Sequence, residues 1–286
     1  MRSPTSVRFA LPLRRLRRSV SKQMLLMCFT VAAAFPLYFM IVSAFKTRPE
    51  YLVNPLGPPH HWVLSTLSAA FHGGALVDWL LNSVIVTVGS VGVTTVVAAL
   101  GAYALALMRW RIAGAVTAGL IALMVIPPIV LVVPLFQLVV NLHQIYTFRA
   151  AIVIYAGLML PFSTFLLASY FATIPRSLIE AARIDGAGHL RILRSVVLPL
   201  SMPALVTDAV VQALWVWGEL LIAILFLQPN NLRTLMVGIT TYTSRYRFDV
   251  PSTMAALLLA TVPMVALFVA GQRFFVRGLT AGGVKG

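Results

Sequence analysis

Six apolar runs divide this chain, and each reaches or exceeds the roughly 20 residues a helix needs to cross a bilayer. They read Gln23 to Phe45, Asn82 to Met108, Ile112 to Val140, Ala150 to Thr173, Ala204 to Gln228 and Ser252 to Gln272. Composition agrees: 60% of the 286 residues are hydrophobic and 10% charged, against about 45–50% and about 25% in a soluble domain. A soluble globular protein is excluded. The expectation is an all-α, polytopic membrane protein with six transmembrane helices. The basic cluster Arg14, Arg15, Arg17, Arg18 and the small residues Val-Ser-Ala at 42 to 44 resemble a signal peptide. The first run is longer than the about 7–15 residues of a signal core, so it reads as a retained helix.

The excess of basic residues sets the orientation. A net charge of +15 would point to nucleic acid in a soluble protein, but here the positive-inside rule accounts for it. With the N-terminus inside, 16 Lys and Arg fall on that side and 6 on the other, so both termini are cytoplasmic. Residues 1–22 then form a basic cytoplasmic N-terminus, 23–272 the membrane domain and 273–286 a cytoplasmic tail. The external loops are 46–81, 141–149 and 229–251, and the first carries Pro55, Pro58, Pro59 and Trp62, a turn-rich interfacial composition. A single cysteine, Cys28, excludes a disulfide framework, and no Cys/His spacing suggests a metal.

Polar residues inside the runs are few. The third run contains Pro127, Pro128 and Pro134, which remove backbone donors and should bend or break the helix. In the fifth, Asp208 and Glu219 are the only carboxylates within the runs. A charge at membrane depth costs at least about 2.5 kcal/mol and should face protein or water. At about 100° per residue, Asp208, Gln212, Trp215 and Glu219 share one helical face, expected either to line a pathway for a polar solute, with Trp215 offering a flat ring to a sugar, or to pair with a neighbouring helix. Trp217 points elsewhere, toward packing. In the second run Ser83, Thr87, Ser90, Thr94, Ala98 and Gly101 form a small-residue face suited to close helix packing.

The segment between the fourth and fifth runs, 174–203, is long and neither short nor plainly hydrophilic. Pro175 and Ser177 can open a short helix, and Gly186 can end it with a positive φ. A second short helix over about 190–197 runs to a stop at Pro199. Two short helices joined at a glycine make a compact cytoplasmic projection suited to docking another protein.

This segment resembles the E-A-A-x3-G-x9-I-x-L-P signature of permease subunits of ATP-binding-cassette (ABC) importers. Glu180, Ala181, Ala182, Gly186, Leu198 and Pro199 match in register, and Val196 stands where the pattern has isoleucine. The run from Gln272 to Gly286 is similar to the end of the smaller permease of maltose-type carbohydrate importers. Asn82-Ser83, Ala102-Tyr103-Ala104-Leu105-Ala106 and Pro134-Leu135-Phe136 are also family-like. Two positions depart: the family commonly has Trp-Asn-Glu or Trp-Asn-Asp at Trp217-Gly218-Glu219, and Thr-Leu-Pro-Val-Gly at Thr234-Leu235-Met236-Val237-Gly238. Asp208 is a charge that the resemblance does not explain.

The resemblance implies a type I ABC importer permease fold in a bacterial plasma (inner) membrane, paired with a second, non-identical permease. Each permease would dock on one of two ATP-binding subunits. Residues Glu180, Ala181, Ala182, Asp185, Gly186, Ala187, Leu198 and Pro199 would couple to the ATPase subunit, and Gly278, Lys285 and Gly286 would reach it from the tail as an extended, glycine-rich strand. ATP and Mg would sit on those partners, since the chain holds no G-x-x-x-x-G-K-[ST] loop and needs no cofactor itself. A sugar-binding protein or lipoprotein would deliver a di- or oligosaccharide outside, with a polyol or glycerophosphodiester as the alternative cargo. A homo-oligomeric channel or secondary transporter predicts inverted halves with matching broken helices, and the sixth run has no counterpart to the break in the third. A membrane-embedded hydrolase needs catalytic groups at one depth, yet Asp208 and Glu219 stand about 16 Å apart by helical rise.

Overall fold

The computed structural model describes residues 13–65, 68, 75–108, 110–244 and 247–283. In chain order the helices are α1 (Leu13–Ala44), α2 (Arg48–Val53), α3 (Ala75–Leu107), α4 (Ala113–Val125), α5 (Pro128–Asn141), α6 (Phe148–Phe171) and α7 (Arg176–Ile184). They continue with α8 (His189–Leu200), α9 (Met202–Gly218), α10 (Leu221–Phe226), α11 (Leu235–Ile239) and α12 (Val250–Gly283). Among the described residues the one β pairing is a two-residue ribbon, Thr243–Ser244 against Arg247–Phe248. Four helices are long and apolar enough to cross a membrane, and two bent helix pairs bring the number to six.

The centre of the bundle is α3 against α6, with α9 crossing both. The small-residue face explains why α3 takes that place. Ser83, Thr87, Ser90, Thr94 and Ala98 are all buried, and a Cβ on Gly89 would lie 2.7 Å from Ile152 Cδ1. A side chain at this position would have to displace the end of Ile152, so the glycine lets α6 pack closely here. The packing reading of this face holds. By contrast α1 packs mainly on α12, with Phe39 meeting Tyr51 of α2 edge-on; Met24, Leu25, Met27 and Phe29 are exposed, an apolar surface suited to lipid rather than to water.

The third run is not one straight helix. Before a proline the α conformation is disfavoured, and Ile126 takes ψ 116° while Pro127 takes ψ 135°. The chain restarts at Pro128, a favoured first helical position, and α4 and α5 meet at 97°. Pro134 stays inside α5, so one of the two proline signals breaks the run and the other does not. The fifth run, expected as Ala204 to Gln228, is likewise two helices, because α9 ends at Gly218, Glu219 is extended at ψ 128° and α10 begins at Leu221. Nor does Pro199 stop the helix before it. Pro199 is the second residue of a last short helical turn, Leu198–Leu200, following a π-helical turn over Leu193–Val197 that absorbs the change in hydrogen bonding; the turn away comes at Ser201, where α8 and α9 bend by 79°.

Candidate functional site

Between the α6 and α9 helices, α7 and the start of α8 form a hairpin. Gly186 has φ +78°, the left-handed conformation that lets a glycine end a helix, and its N–H bonds Arg183 O while Ala187 N bonds Ala182 O. The inner face of the hairpin is apolar. Ile179, Ile192, Leu193 and Val197 join Ala98, Ala102, Tyr103, Leu167 and Phe171 in one buried cluster, with Ala182, Ala187 and Leu198 packed against its edge. The outer face is different: Glu180, Ala181, Asp185 and Pro199 are exposed, and so is Ile184 at 87%. The motif therefore splits by helical phase, with Ala182, Ala187 and Leu198 holding the hairpin to the bundle and Glu180, Ala181 and Asp185 turned outward. Ile184 is thus a bare apolar side chain at the tip of a charged projection. Of the three tail residues, Gly278 lies in α12, which continues to Gly283. It is helical, not the start of an extended strand, because the apolar and small residues before it carry on the α12 pattern. Lys285 and Gly286 lie outside the described residues.

The four residues expected on one face of the fifth run separate into two pairs. Asp208 and Gln212 are fully buried, one turn apart, and the Gln212 amide donates to the Asp208 carboxylate; they are packed inside the chain. Trp215 is half-buried and meets the Tyr155 ring edge-on at 6.0 Å. Glu219 is off the helix altogether, because α9 has already ended. Its carboxylate accepts from Leu221 N at 2.7 Å, Ile222 N at 2.9 Å and Ala223 N at 3.3 Å, capping α10 as an acidic residue suits a helix N-terminus. Tyr155 OH donates to it at 2.7 Å. So Trp215, Tyr155 and Glu219 form one cluster at the break, and Tyr155, buried in α6, has no signal in the fifth run that could have pointed to it. Trp217 does turn elsewhere, donating its indole N–H to Ala260 O on α12 at 3.1 Å.

Beside the cluster lies a hollow of about 410 Å³, walled by Leu123, Ile126 and Pro128 at the break in the third run and by Val211 and Trp215 from α9. The two interrupted runs thus face each other across one apolar space.

The outer face is held by a clasp. Asn82 donates to Asn231 O at 3.1 Å and Arg233 O at 2.9 Å, and Leu235 N donates to Ser83 Oγ at 2.8 Å, so α3 fixes the loop that follows α10. Below the clasp the Trp79 indole covers Gly238, where a Cβ would come within 2.1 Å of the ring; this glycine is demanded by that contact. Tyr242 meets the Trp79 ring edge-on, and burial, aided by the Asp249 carboxylate, raises its phenol above the ordinary value. In the first external loop the buried Lys46 ammonium donates to Asn54 O at 2.6 Å and Gly57 O at 2.7 Å. Burial lowers its pKa, opposed by Glu50.

Residues 95–281 match the family of binding-protein-dependent transport system inner membrane components. The chain belongs to that family. This permease is 34% identical to the melibiose/raffinose/stachyose import permease of Bacillus subtilis, over 88% of this chain and 91% of that one. It is 33% identical to the trehalose/maltose transport system permease of Thermococcus litoralis, over 95% and 100%, and 36% identical to the sulfoquinovosyl glycerol transport system permease of Agrobacterium fabrum, over 90% of each. Among solved structures, a chain of a bacterial ABC transporter involved in import of the acidic polysaccharide alginate matches at TM-score 0.81 and 20% identity, over 96% of the permease and all of that chain. The six-helix importer permease fold and the inner-membrane location expected from the sequence both hold. In the permease the two departures from the family pattern fall at structural joints: Gly218 is the last residue of α9 and Met236 the second of α11.

Proposed function

We propose that the permease is one of two non-identical membrane subunits of an ATP-driven importer of di- or oligosaccharides. The observation that carries this reading is the 174–203 hairpin, with its apolar side fastened to the bundle and its outer side, Glu180, Ala181, Ile184 and Asp185, exposed. Glu180 would pair with a basic residue of an ATP-binding subunit, a contact that sets register more than affinity. The two ATP-binding subunits would bind ATP and Mg, and the tail through Lys285 and Gly286 would add to their contact. An extracytoplasmic sugar-binding protein or lipoprotein would dock over the Asn82 and Lys46 clasps. The sugar assignment is supported by three relatives whose names specify glycoside cargo. Along the pathway we place Trp215 and Glu219, while Asp208 and Gln212 support α9 from within.

The test is Gly186→Asp in the complete, co-purified complex. An Asp cannot hold φ +78° without strain, so the hairpin tip should distort and transport driven by ATP should be lost while membrane insertion persists. Normal uptake by that variant would sink the proposal.

A further inference from the structure

We propose that Tyr103 is a positioning residue that locks both arms of the cytoplasmic hairpin to α3, so that movement of the hairpin becomes movement of the central helix. The inference rests on the coupling reading above. Tyr103 sits near the cytoplasmic end of α3 and is buried. Its hydroxyl lies 3.1 Å from His189 Nδ1, and its ring meets the imidazole edge-on at 5.9 Å. His189 is the first residue of α8, and Ile179 of α7 shares a buried cluster with Tyr103. One side chain from α3 therefore meets both arms, on either side of the Gly186 turn.

With the imidazole proton on Nε2, the phenol donates to His189 Nδ1. The rest of the hairpin's hold on the bundle is the apolar cluster around Ile179 and Ile192. Apolar contacts are non-directional and allow sliding or rolling; a hydrogen bond to an imidazole that also packs edge-on against the same ring does not. Tyr103 is thus the point at which the hairpin is fixed in rotation as well as in place.

The experiment uses the co-purified complex in lipid nanodiscs, on a background in which the native Cys28 is replaced by Ser. Spin labels at Ile184→Cys, exposed at the hairpin tip, and Met108→Cys, exposed just beyond α3, report one inter-label distance with and without ATP plus vanadate. The parent should keep one distance in both states. Tyr103→Phe, which keeps the ring and loses the hydroxyl, should add a second distance, since a lost neutral hydrogen bond shifts such an equilibrium by about fivefold. His189→Leu should do the same, and His189→Asn, which keeps an acceptor at the δ position, should restore the single distance. Complex yield and thermal midpoint should stay at the parent values.

An unchanged distance in Tyr103→Phe and His189→Leu overturns the inference, as does a second distance accompanied by loss of yield or midpoint, or one that His189→Asn fails to restore. An Ala181→Cys cross-link to the ATP-binding subunit separates the two claims. If the cross-link forms and the distance is unmoved, the Tyr103 inference fails alone; if no cross-link forms, the coupling reading fails and takes this inference with it.

Discussion

The third and fifth runs are both interrupted, and they are interrupted for opposite reasons. Between α4 and α5 the cause is covalent: Pro127 lacks a donor and forces the residue before it out of the α region, and the chain turns by 97°. Between α9 and α10 no proline is present. There the break is made by a side-chain cap, the Glu219 carboxylate folded back onto three backbone N–H groups of the next turn and held by Tyr155 from another helix. One break rests on proline alone; the other joins a local cap to a bond from α6. A break held in part by another helix can be loosened by moving that helix, and one held by proline cannot.

Three substitutions sharpen that contrast, and the largest effect belongs to Glu219. Glu219→Ala leaves the first turn of α10 without its acceptor in a poorly hydrated place, and charge-assisted bonds of this kind are worth about 1.5–3 kcal/mol each. We expect a loss of about 3 kcal/mol, read as a lower midpoint in thermal unfolding of the detergent-solubilised protein. Binding-protein-stimulated ATPase activity of the complex should fall with it, and fall more than in Trp217→Ala, whose contacts run to α12. Equal effects in the two variants would separate the break from transport. Tyr155→Phe comes next. The ring remains against Trp215 while the bond to Glu219 is lost, and a loss of about 1.5 kcal/mol is expected; an unaltered midpoint would mean that the cap holds without α6.

Much of this was legible beforehand, and the reasons it was legible are local. Six spans, the packing face from Ser83 to Gly101 and the Gly186 turn all follow from residue type at fixed spacing, because bilayer thickness, helical periodicity and glycine's φ freedom act within one element. The face drawn through Asp208, Gln212, Trp215 and Glu219 failed at its last member for the complementary reason. Projecting 100° per residue assumes that the helix continues, whereas it ends at Gly218 and Glu219 turns back to cap the next one. Tyr155, the residue that completes the cluster, lies 64 positions away from Glu219. The Asn82 clasp was visible only as a family-like dipeptide, since its partners are backbone carbonyls, which carry no sequence identity.

The smallest effect is expected at Pro127, and it is the one that tests the contrast most directly. Pro127→Ala restores a backbone donor and removes the restriction on Ile126, yet Ile126 and residue 127 already sit in extended conformations that alanine adopts without strain. The native turn therefore survives, and what changes is the freedom of the unfolded chain, worth about 0.4–1 kcal/mol. Because Pro128 still opens α5, the bend between α4 and α5 should persist, and inter-label distances across it should match those of the parent. A straightened run in this variant would show that Pro127 alone holds the angle against a helix that otherwise prefers to be continuous. Retention of the angle would mean that Pro128, which keeps residue 127 out of the α region, is enough to hold the break without help from another helix.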